Sequence, residues 1–312
     1  MTGDERAQHV PLDGQRIVVT GATGQLGSYL IRAIADAGAT PISFGRQVGY
    51  AVDRAVDIAD AQAVERAIDE EKPDAIIHAA AMTDVDGCEK DGRLANQINH
   101  LGARNVARAA VQSGAYLVAV STDFVFSGAA APYAEDAPTD PISVYGASKL
   151  AGELAVLEAS KTFAVARTAW LYGGKGKHFP RTILSLLAAR PTIEVVEDEC
   201  GNPTFVGDLA ESLVQLVSLR MSGIVHLTNE GSTSRFELAR QVATAAGLAP
   251  ERIQPTTVEA FLRQYPLPAR RPRDSSLTNT RAAANGVTLR PWPDALGSYI
   301  PRLLTELKSS PA

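Results

Sequence analysis

Short β-branched runs alternate along the first half of the chain with longer segments of helical periodicity. The run at 17–20 is apolar and β-branched, as in a strand that is buried on both faces of a parallel sheet. Apolar residues then recur at helical spacing and stop at a glycine, at Leu26, Leu30, Ile34, Ala37 and Gly38. The alternation continues with predicted strands at 41–44, 74–79, 115–121 and 162–168 and predicted helices at about 60–71, 93–113 and 143–160.

This alternation predicts βαβ units and therefore a parallel sheet with helices on both faces. We predict an α/β fold, a doubly wound parallel sheet of the Rossmann type with a smaller α/β substrate lobe. After residue 170 a basic glycine loop and a long stretch rich in Pro and Arg interrupt the rhythm. The predicted division is 14–171 plus 205–223 for the Rossmann domain, 172–204 plus 224–312 for the substrate lobe, and 1–13 as a loose tail.

Composition narrows the classes of function. The 312 residues are 45% hydrophobic and 21% charged, which is ordinary for a soluble globular protein, and the net charge of −5 argues against a general nucleic-acid binder. The chain start lacks the apolar core of a signal peptide and no long apolar run follows, so we expect no membrane span and a cytoplasmic location. Cys88 and Cys200 lie far apart and the five histidines are dispersed, so we expect no disulfide framework and no catalytic metal.

Three glycines, Gly21, Gly24 and Gly27, lie between the first predicted strand and the first helix. Glycine permits a tight turn and close approach to a phosphate, and the helix N-terminus supplies free N–H groups. The turn therefore predicts dinucleotide binding, although its spacing is three-and-three rather than two-and-three. The second strand ends at Arg46 without a carboxylate, which favours the 2′-phosphate of NADP, so we predict NADPH with NADH as the alternative. A solvated surface arginine is the competing interpretation of Arg46.

A candidate reactive pair lies at the start of a predicted helix. Tyr145 and Lys149 are four residues apart and share one helix face. A nearby ammonium lowers the pKa of a tyrosine, which suits a proton donor that works near neutral pH. The fourth strand ends in Ser121, Thr122 and Asp123, and a hydroxyl there could hold a carbonyl oxygen against Tyr145. A tyrosine and lysine at this spacing are common by chance, but their combination with the strand end is specific.

Five segments together resemble a known family. They are TGATGQLG at 20–27, HAAAMTDVD at 78–86, STDFVF at 121–126, RTAWLYG at 167–173 and RPRDSSL at 271–277. The chain resembles the extended short-chain dehydrogenase/reductase family, and within it the dTDP-4-dehydrorhamnose reductase subgroup, over about residues 16–300. That family uses the three-and-three glycine spacing.

The resemblance implies NADPH-dependent reduction of the C4 ketone of a dTDP-6-deoxy-4-ketohexose in deoxysugar biosynthesis. It implies that Tyr145 protonates the carbonyl oxygen, that Thr122 hydrogen-bonds it, and that Lys149 holds the nicotinamide ribose and keeps the phenol acidic. The cofactor residues it implies, with Arg46 from the strand argument, are Gly21, Thr23, Gly24, Gln25, Leu26, Arg46, Asp57, Ile58, Ala79, Ala80, Ala81, Tyr145 and Lys149. The sugar-pocket residues it implies are Thr83, Val85, Asp123, Phe124 and Trp170.

Several alternatives stay open. Phe124 stands where the family usually has tyrosine, which leaves the identity of the ketosugar open, and a place in the core is the competing interpretation of Trp170. A dehydratase would carry an acid–base pair after Thr122, and a nucleotide-sugar 4-epimerase would prefer an acidic residue in place of Arg46. A different class is an NADP-binding regulatory subunit similar to the beta subunit of methionine adenosyltransferase, in which the strand-end triplet is altered. A homodimer is compatible with the sequence, as is a monomer.

Overall fold

The computed structural model describes residues 10–46 and 52–309. Its strands, in chain order, are β1 (Arg16–Thr20), β2 (Thr40–Gly45), β3 (Arg54–Ala55), β4 (Ala75–His78), β5 (Tyr116–Thr122), β6 (Ala164–Thr168), β7 (Leu171–Tyr172), β8 (Ile193–Val196), β9 (Cys200–Gly201), β10 (Thr204–Phe205), β11 (Gly223–His226), β12 (Thr233–Ser234) and β13 (Ile253–Thr256). Seven of these strands form one parallel sheet in the order β11-β6-β5-β4-β1-β2-β3.

The helices, in chain order, are α1 (Gly27–Asp36), α2 (Ala61–Glu71), α3 (Val85–Lys90), α4 (Gly92–Ala95), α5 (Ala103–Ser113), α6 (Val144–Ala159), α7 (Phe179–Ala189), α8 (Val206–Ser218), α9 (Arg235–Ala245), α10 (Val258–Gln264), α11 (Thr280–Ala284) and α12 (Trp292–Ser309). A π-helical segment, Asn96–Gly102, joins α4 to α5, and short 3₁₀ turns lie at Asp123–Val125 and Pro250–Arg252. Within the described ranges, no helix is long and apolar enough to cross a membrane.

The central sheet is covered on both faces because alternate residues of its buried strands point to opposite sides. Ile17 and Val19 of β1 belong to the same apolar cluster as buried residues of α1 and α8. Val18 lies in a second cluster with buried residues of α2 and α5. The predicted doubly wound α/β fold is therefore confirmed.

The second half of the chain adds smaller pieces to this sheet. Strands β7 and β10 pair with each other, as do β8 and β13, and both pairs are parallel. Strands β9 and β12 form an antiparallel pair. This part is built from short elements, as the sequence predicts, and the division into two domains stays a prediction.

Two boundaries of that division differ from what the structure shows. Residues 224–226, assigned by sequence to the lobe, belong to β11, which pairs with β6 in the central sheet. Residues 10–13, assigned to a loose tail, lie against the molecule: the Val10 amide donates to the Ser218 carbonyl at 2.7 Å, and Leu12 is buried. Residues 1–9 of the predicted tail lie outside the described residues.

Candidate active site

The turn between β1 and α1 requires its glycines. Gly21 has a φ of +71°, and a Cβ there would lie 2.8 Å from the backbone of Ala80. A Cβ on Gly27 would lie 2.3 Å from the Gly21 carbonyl oxygen. The turn is therefore folded back on itself and packed against the segment that follows β4.

This turn fits the pyrophosphate of a dinucleotide. Helix α1 begins with no side chain capping its N–H groups and no acidic residue in its first turn, so the positive end of the helix is available to an anion. The Gln25 amide nitrogen Nε2, in the same turn, is buried and has no hydrogen-bond partner within the described residues. A buried donor without a partner is costly, and a polar ligand in the turn would satisfy it.

The structure brings the other predicted cofactor residues to the same edge of the sheet. Thr23 and Gly24 are exposed on the turn, whereas Leu26 is buried. Half-buried Ala79, Ala80 and Ala81 directly follow β4, where the Ala80 amide donates to the Thr20 hydroxyl at 3.3 Å. Small side chains there leave the end of β4 accessible to a flat ligand.

Three further predicted residues follow β2 and β3. Arg46 is exposed directly after β2, the neighbour of β1 in the sheet. Asp57 is exposed and accepts a hydrogen bond from the Ala59 amide at 2.9 Å. Ile58 is buried, and its carbonyl accepts from Asn105 Nδ2 at 3.0 Å. These positions suit the adenosine end of a dinucleotide whose pyrophosphate lies at the glycine turn.

Tyr145 lies in the first turn of α6, at the carboxyl edge of the sheet. Ser143 starts this helix by accepting a hydrogen bond from the Gly146 amide at 3.1 Å. Tyr145 is only 9% exposed, and burial raises its pKa above the usual value. The Thr122 side chain lies close enough to oppose that rise, so the structure brings the two predicted catalytic hydroxyls together.

The expected acidification of Tyr145 by Lys149 is wrong for this structure. The Lys149 ammonium is buried and donates to the Val120 carbonyl oxygen at 2.8 Å. Burial lowers the pKa of Lys149 to about 8, and the Glu153 charge opposes that change. The shared helix face was predicted correctly, but the ammonium hydrogen-bonds the strand and the pKa of Tyr145 is raised.

Thr122 and Asp123 form a buried hydrogen-bonded unit at the end of β5. Thr122 Oγ1 donates to Asp123 Oδ1 at 3.0 Å and accepts from the Phe124 amide at 3.2 Å. Ser275 Oγ donates to Asp123 Oδ2 at 2.5 Å. Burial raises the pKa of Asp123 to about 6, although both hydroxyl donors stabilise its anion. The single Thr122 proton is directed at Asp123, so Thr122 must turn before it can donate to a substrate carbonyl.

The other predicted sugar-pocket residues differ in how closely they approach the reactive groups. The Phe124 ring meets the Tyr145 ring edge-on with 5.6 Å between centroids. Val85 packs in the same apolar cluster as Tyr145 and Cys88. Thr83 is exposed, and no contact places it against the reactive groups.

Trp170 is held by a residue that sequence reasoning missed. Its backbone has a φ of +44°, and the Arg235 guanidinium lies over the indole ring at 3.5 Å from the centroid. Arg235 Nε also donates to Glu199 Oε1 at 3.1 Å. The Arg235 charge lowers the pKa of Asp123, so this arginine is electrostatically coupled to the site. Nothing in the local sequence marked Arg235, and Ser275 lies in the segment 271–277 that carries the family resemblance but was given no role there; both reach the site only through the tertiary fold.

Comparisons with known proteins agree with this geometry. The sequence model of the family described as RmlD substrate binding domain matches residues 15–305. The chain is 41% identical over 294 residues to dTDP-4-dehydrorhamnose reductase of Mycobacterium tuberculosis, covering 92% of each chain. It is 35% identical over 291 residues to dTDP-4-keto-6-deoxy-D-glucose reductase of Streptomyces niveus, covering 92% of this chain and 97% of the relative.

A solved structure shows the same architecture. The crystal structure of dTDP-4-dehydrorhamnose reductase from Bacillus anthracis in complex with NADP superposes with a TM-score of 0.85 and 36% identity, covering 93% of this chain and 99% of that chain. The family match spans nearly all of the chain, and the named relatives are reductases of dTDP-linked ketosugars. The chain therefore belongs to the RmlD family, the dTDP-4-dehydrorhamnose reductase subgroup of the extended short-chain dehydrogenase/reductases.

Proposed function

We propose that this protein uses NADPH to reduce the C4 ketone of a dTDP-6-deoxy-4-ketohexose. The observation that carries the proposal is the meeting of the Tyr145 and Thr122 hydroxyls at the carboxyl edge of the sheet, with Lys149 buried one helical turn behind Tyr145. The glycine turn lies at the same edge, two strands from β5. In open α/β sheets, this edge is where ligands bind.

Each reactive side chain has a role that follows from its position. Tyr145 donates a proton to the ketone oxygen, because its hydroxyl is the buried acid that faces the strand end. Thr122 holds that oxygen after its proton turns away from Asp123. Lys149, on the buried face of α6, binds the ribose next to the nicotinamide. NADPH, when bound, supplies the hydride.

The side chains around the Tyr145 hydroxyl select the sugar. Val85 and Phe124 line its apolar side, and Asp123 offers a carboxylate that Ser275 already fixes. Trp170 contributes to the pocket the part of its indole ring that the stacked Arg235 guanidinium leaves uncovered. Thr83, exposed on the segment after β4, stays a predicted pocket residue.

We also propose that Arg46 binds the 2′-phosphate and makes NADPH the preferred cofactor over NADH. Its guanidinium is exposed at the end of β2, where that phosphate would lie.

We place the reaction in the cytoplasm, where thiols such as the free Cys88 and Cys200 stay reduced. The homodimer stays a prediction, and analytical ultracentrifugation tests it.

The test is product identification. Purified protein is mixed with NADPH and dTDP-4-keto-6-deoxyhexoses, with and without prior 3,5-epimerisation, and the sugar product is analysed by NMR. The proposal predicts stoichiometric NADPH oxidation and a 4-hydroxy sugar. Tightly retained NAD with interconversion at C4 would instead identify an epimerase. Absence of ketosugar-dependent oxidation, with tight binding to a methionine adenosyltransferase, would identify a regulatory subunit.

A further inference from the structure

A buried ion pair lies directly behind Lys149. Glu153 follows Lys149 by one helical turn on the face of α6 that also carries Tyr145. Arg167 on β6 holds both Glu153 carboxylate oxygens: Nη2 donates to Oε2 at 2.7 Å and Nε donates to Oε1 at 3.0 Å. The side chains of this pair are only 4% and 2% exposed. The fork-to-fork geometry fixes the carboxylate in position.

Lys149 and Glu153 share one small cavity. Its volume is about 10 Å³, and it is lined also by His78, Asn99 and Ser121. The Ser121 hydroxyl has no hydrogen-bond partner within the described ranges. The Lys149 ammonium uses one of its three donors on the Val120 carbonyl at 2.8 Å, and the Lys149 side chain also lines this space.

The charges around Lys149 do not balance. Lys149 and Arg167 carry positive charge. Glu153 is the anion whose charge raises the pKa of Lys149 and so opposes the effect of burial. His78 faces Lys149 from β4. Burial lowers the pKa of His78 to about 3, so this histidine is neutral at neutral and alkaline pH. Tyr145 on α6 keeps its proton, since burial raises its pKa. Glu153 is therefore the carboxylate available to compensate Lys149, and Arg167 competes for it.

We propose that Glu153, fixed by Arg167, is a positioning residue for Lys149, and that its carboxylate keeps the buried ammonium charged and ready for the nicotinamide ribose. The inference rests on the proposed function, because it concerns the lysine that holds the cofactor. Arg167 sets the strength of this effect by taking a share of the carboxylate. The pair thus adjusts the upper pH limit of cofactor binding as well as joining α6 to β6.

The experiment measures NADPH affinity by fluorescence titration, and kcat/KM for NADPH, across neutral and alkaline pH. In the wild type both fall as Lys149 loses its proton, at a pH near its pKa of about 8. Glu153→Gln removes the anion and is expected to move this fall to lower pH by about one unit. Arg167→Met breaks the same ion pair but leaves the anion to Lys149, and is expected to move the fall to higher pH.

The two variants separate charge from structure, because each removes the same buried contact. A purely structural role predicts that both variants change the pH profile in the same way or leave it unmoved, and either result overturns the proposal. If Glu153→Gln fails to fold, Arg167→Met and the conservative Arg167→Lys are compared instead: the proposal requires Arg167→Met to move the fall to higher pH and Arg167→Lys, which keeps the positive charge, to leave it near the wild-type pH, and an unmoved fall in Arg167→Met overturns it. Wild-type protein that binds NADPH but reduces no ketosugar refutes the proposed function and leaves this binding test intact.

Discussion

Asp123 provides a quantitative test of the site because it is a nearly fully buried carboxylate. It is 2% exposed, and its two oxygens accept from the Thr122 and Ser275 hydroxyls. The substitution Asp123→Asn keeps the shape and removes the charge. An amide can accept from one hydroxyl and donate to the other, so the variant keeps its partners.

The expected gain in stability follows from the shifted pKa. Burial raises the pKa of Asp123 from 3.8 to about 6, so the folded protein binds this proton more tightly than the unfolded chain does. The wild type therefore loses stability as the pH rises from 3.8 through about 6, and the loss reaches about 3 kcal/mol above that range. Asp123→Asn does not ionise, so its stability relative to wild type should rise by up to that amount at alkaline pH.

The assay is urea unfolding of both proteins at mildly acidic and mildly alkaline pH, with ketosugar reduction measured in parallel. The stability advantage of Asp123→Asn should grow with pH while its activity falls. Ser275→Ala is the matched control: it removes one donor to the carboxylate and should cost about 1.5–3 kcal/mol, mainly at alkaline pH. An Asn variant that loses stability relative to wild type as the pH rises would refute this account of Asp123.

Three further predictions concern the cofactor and the sugar. Gly27→Ala places a Cβ 2.3 Å from the Gly21 carbonyl oxygen and should cost about 1–3 kcal/mol of stability and weaken NADPH binding in a fluorescence titration; unchanged affinity would contradict the compact turn. Arg46→Ala should weaken NADPH binding about tenfold and leave NADH binding unchanged, and an equal loss for both cofactors would contradict the phosphate contact. Phe124→Tyr adds a hydroxyl beside Tyr145 and should change the ratio of kcat/KM between two ketosugars about fivefold, whereas an unchanged ratio would remove Phe124 from sugar selection.

Sequence periodicity predicted most strands of the central sheet because these strands are buried on both faces. The helix predicted at 143–160 is α6, Val144–Ala159, and the one predicted at about 60–71 is α2, Ala61–Glu71. The strand β11 escaped prediction because four residues after a long helix carry too little pattern. Its place is fixed by pairing with β6, which is a tertiary contact.

The helix predicted at 93–113 shows where local pattern fails. The structure divides it into α4, the π-helical segment Asn96–Gly102 and α5. Inside that segment the Asn99 amide binds the Met82 backbone and the Ser148 hydroxyl, so the widened turn serves contacts with remote segments. Periodicity reports only which face is apolar and carries no information about such partners.

The candidate site follows the same rule. Motif spacing was enough to predict that Tyr145 and Thr122 meet, because both lie at ends of elements whose order the fold class fixes. The contacts of Ser275 with Asp123 and of Arg235 with Trp170 could not be predicted in this way, because they join segments far apart along the chain. The sequence also could not predict where the Lys149 ammonium points, because this depends on the position of the Val120 carbonyl.

The most direct test of the central claim is the rate of ketosugar reduction by Tyr145→Phe. This variant keeps the ring that packs against Phe124 and removes only the buried hydroxyl that meets Thr122. With NADPH affinity unchanged, kcat should fall by about 100- to 10,000-fold, the usual loss when a general acid is removed. A variant that binds NADPH normally and reduces the sugar within a few-fold of the wild-type rate would contradict the assignment of Tyr145 as the proton donor.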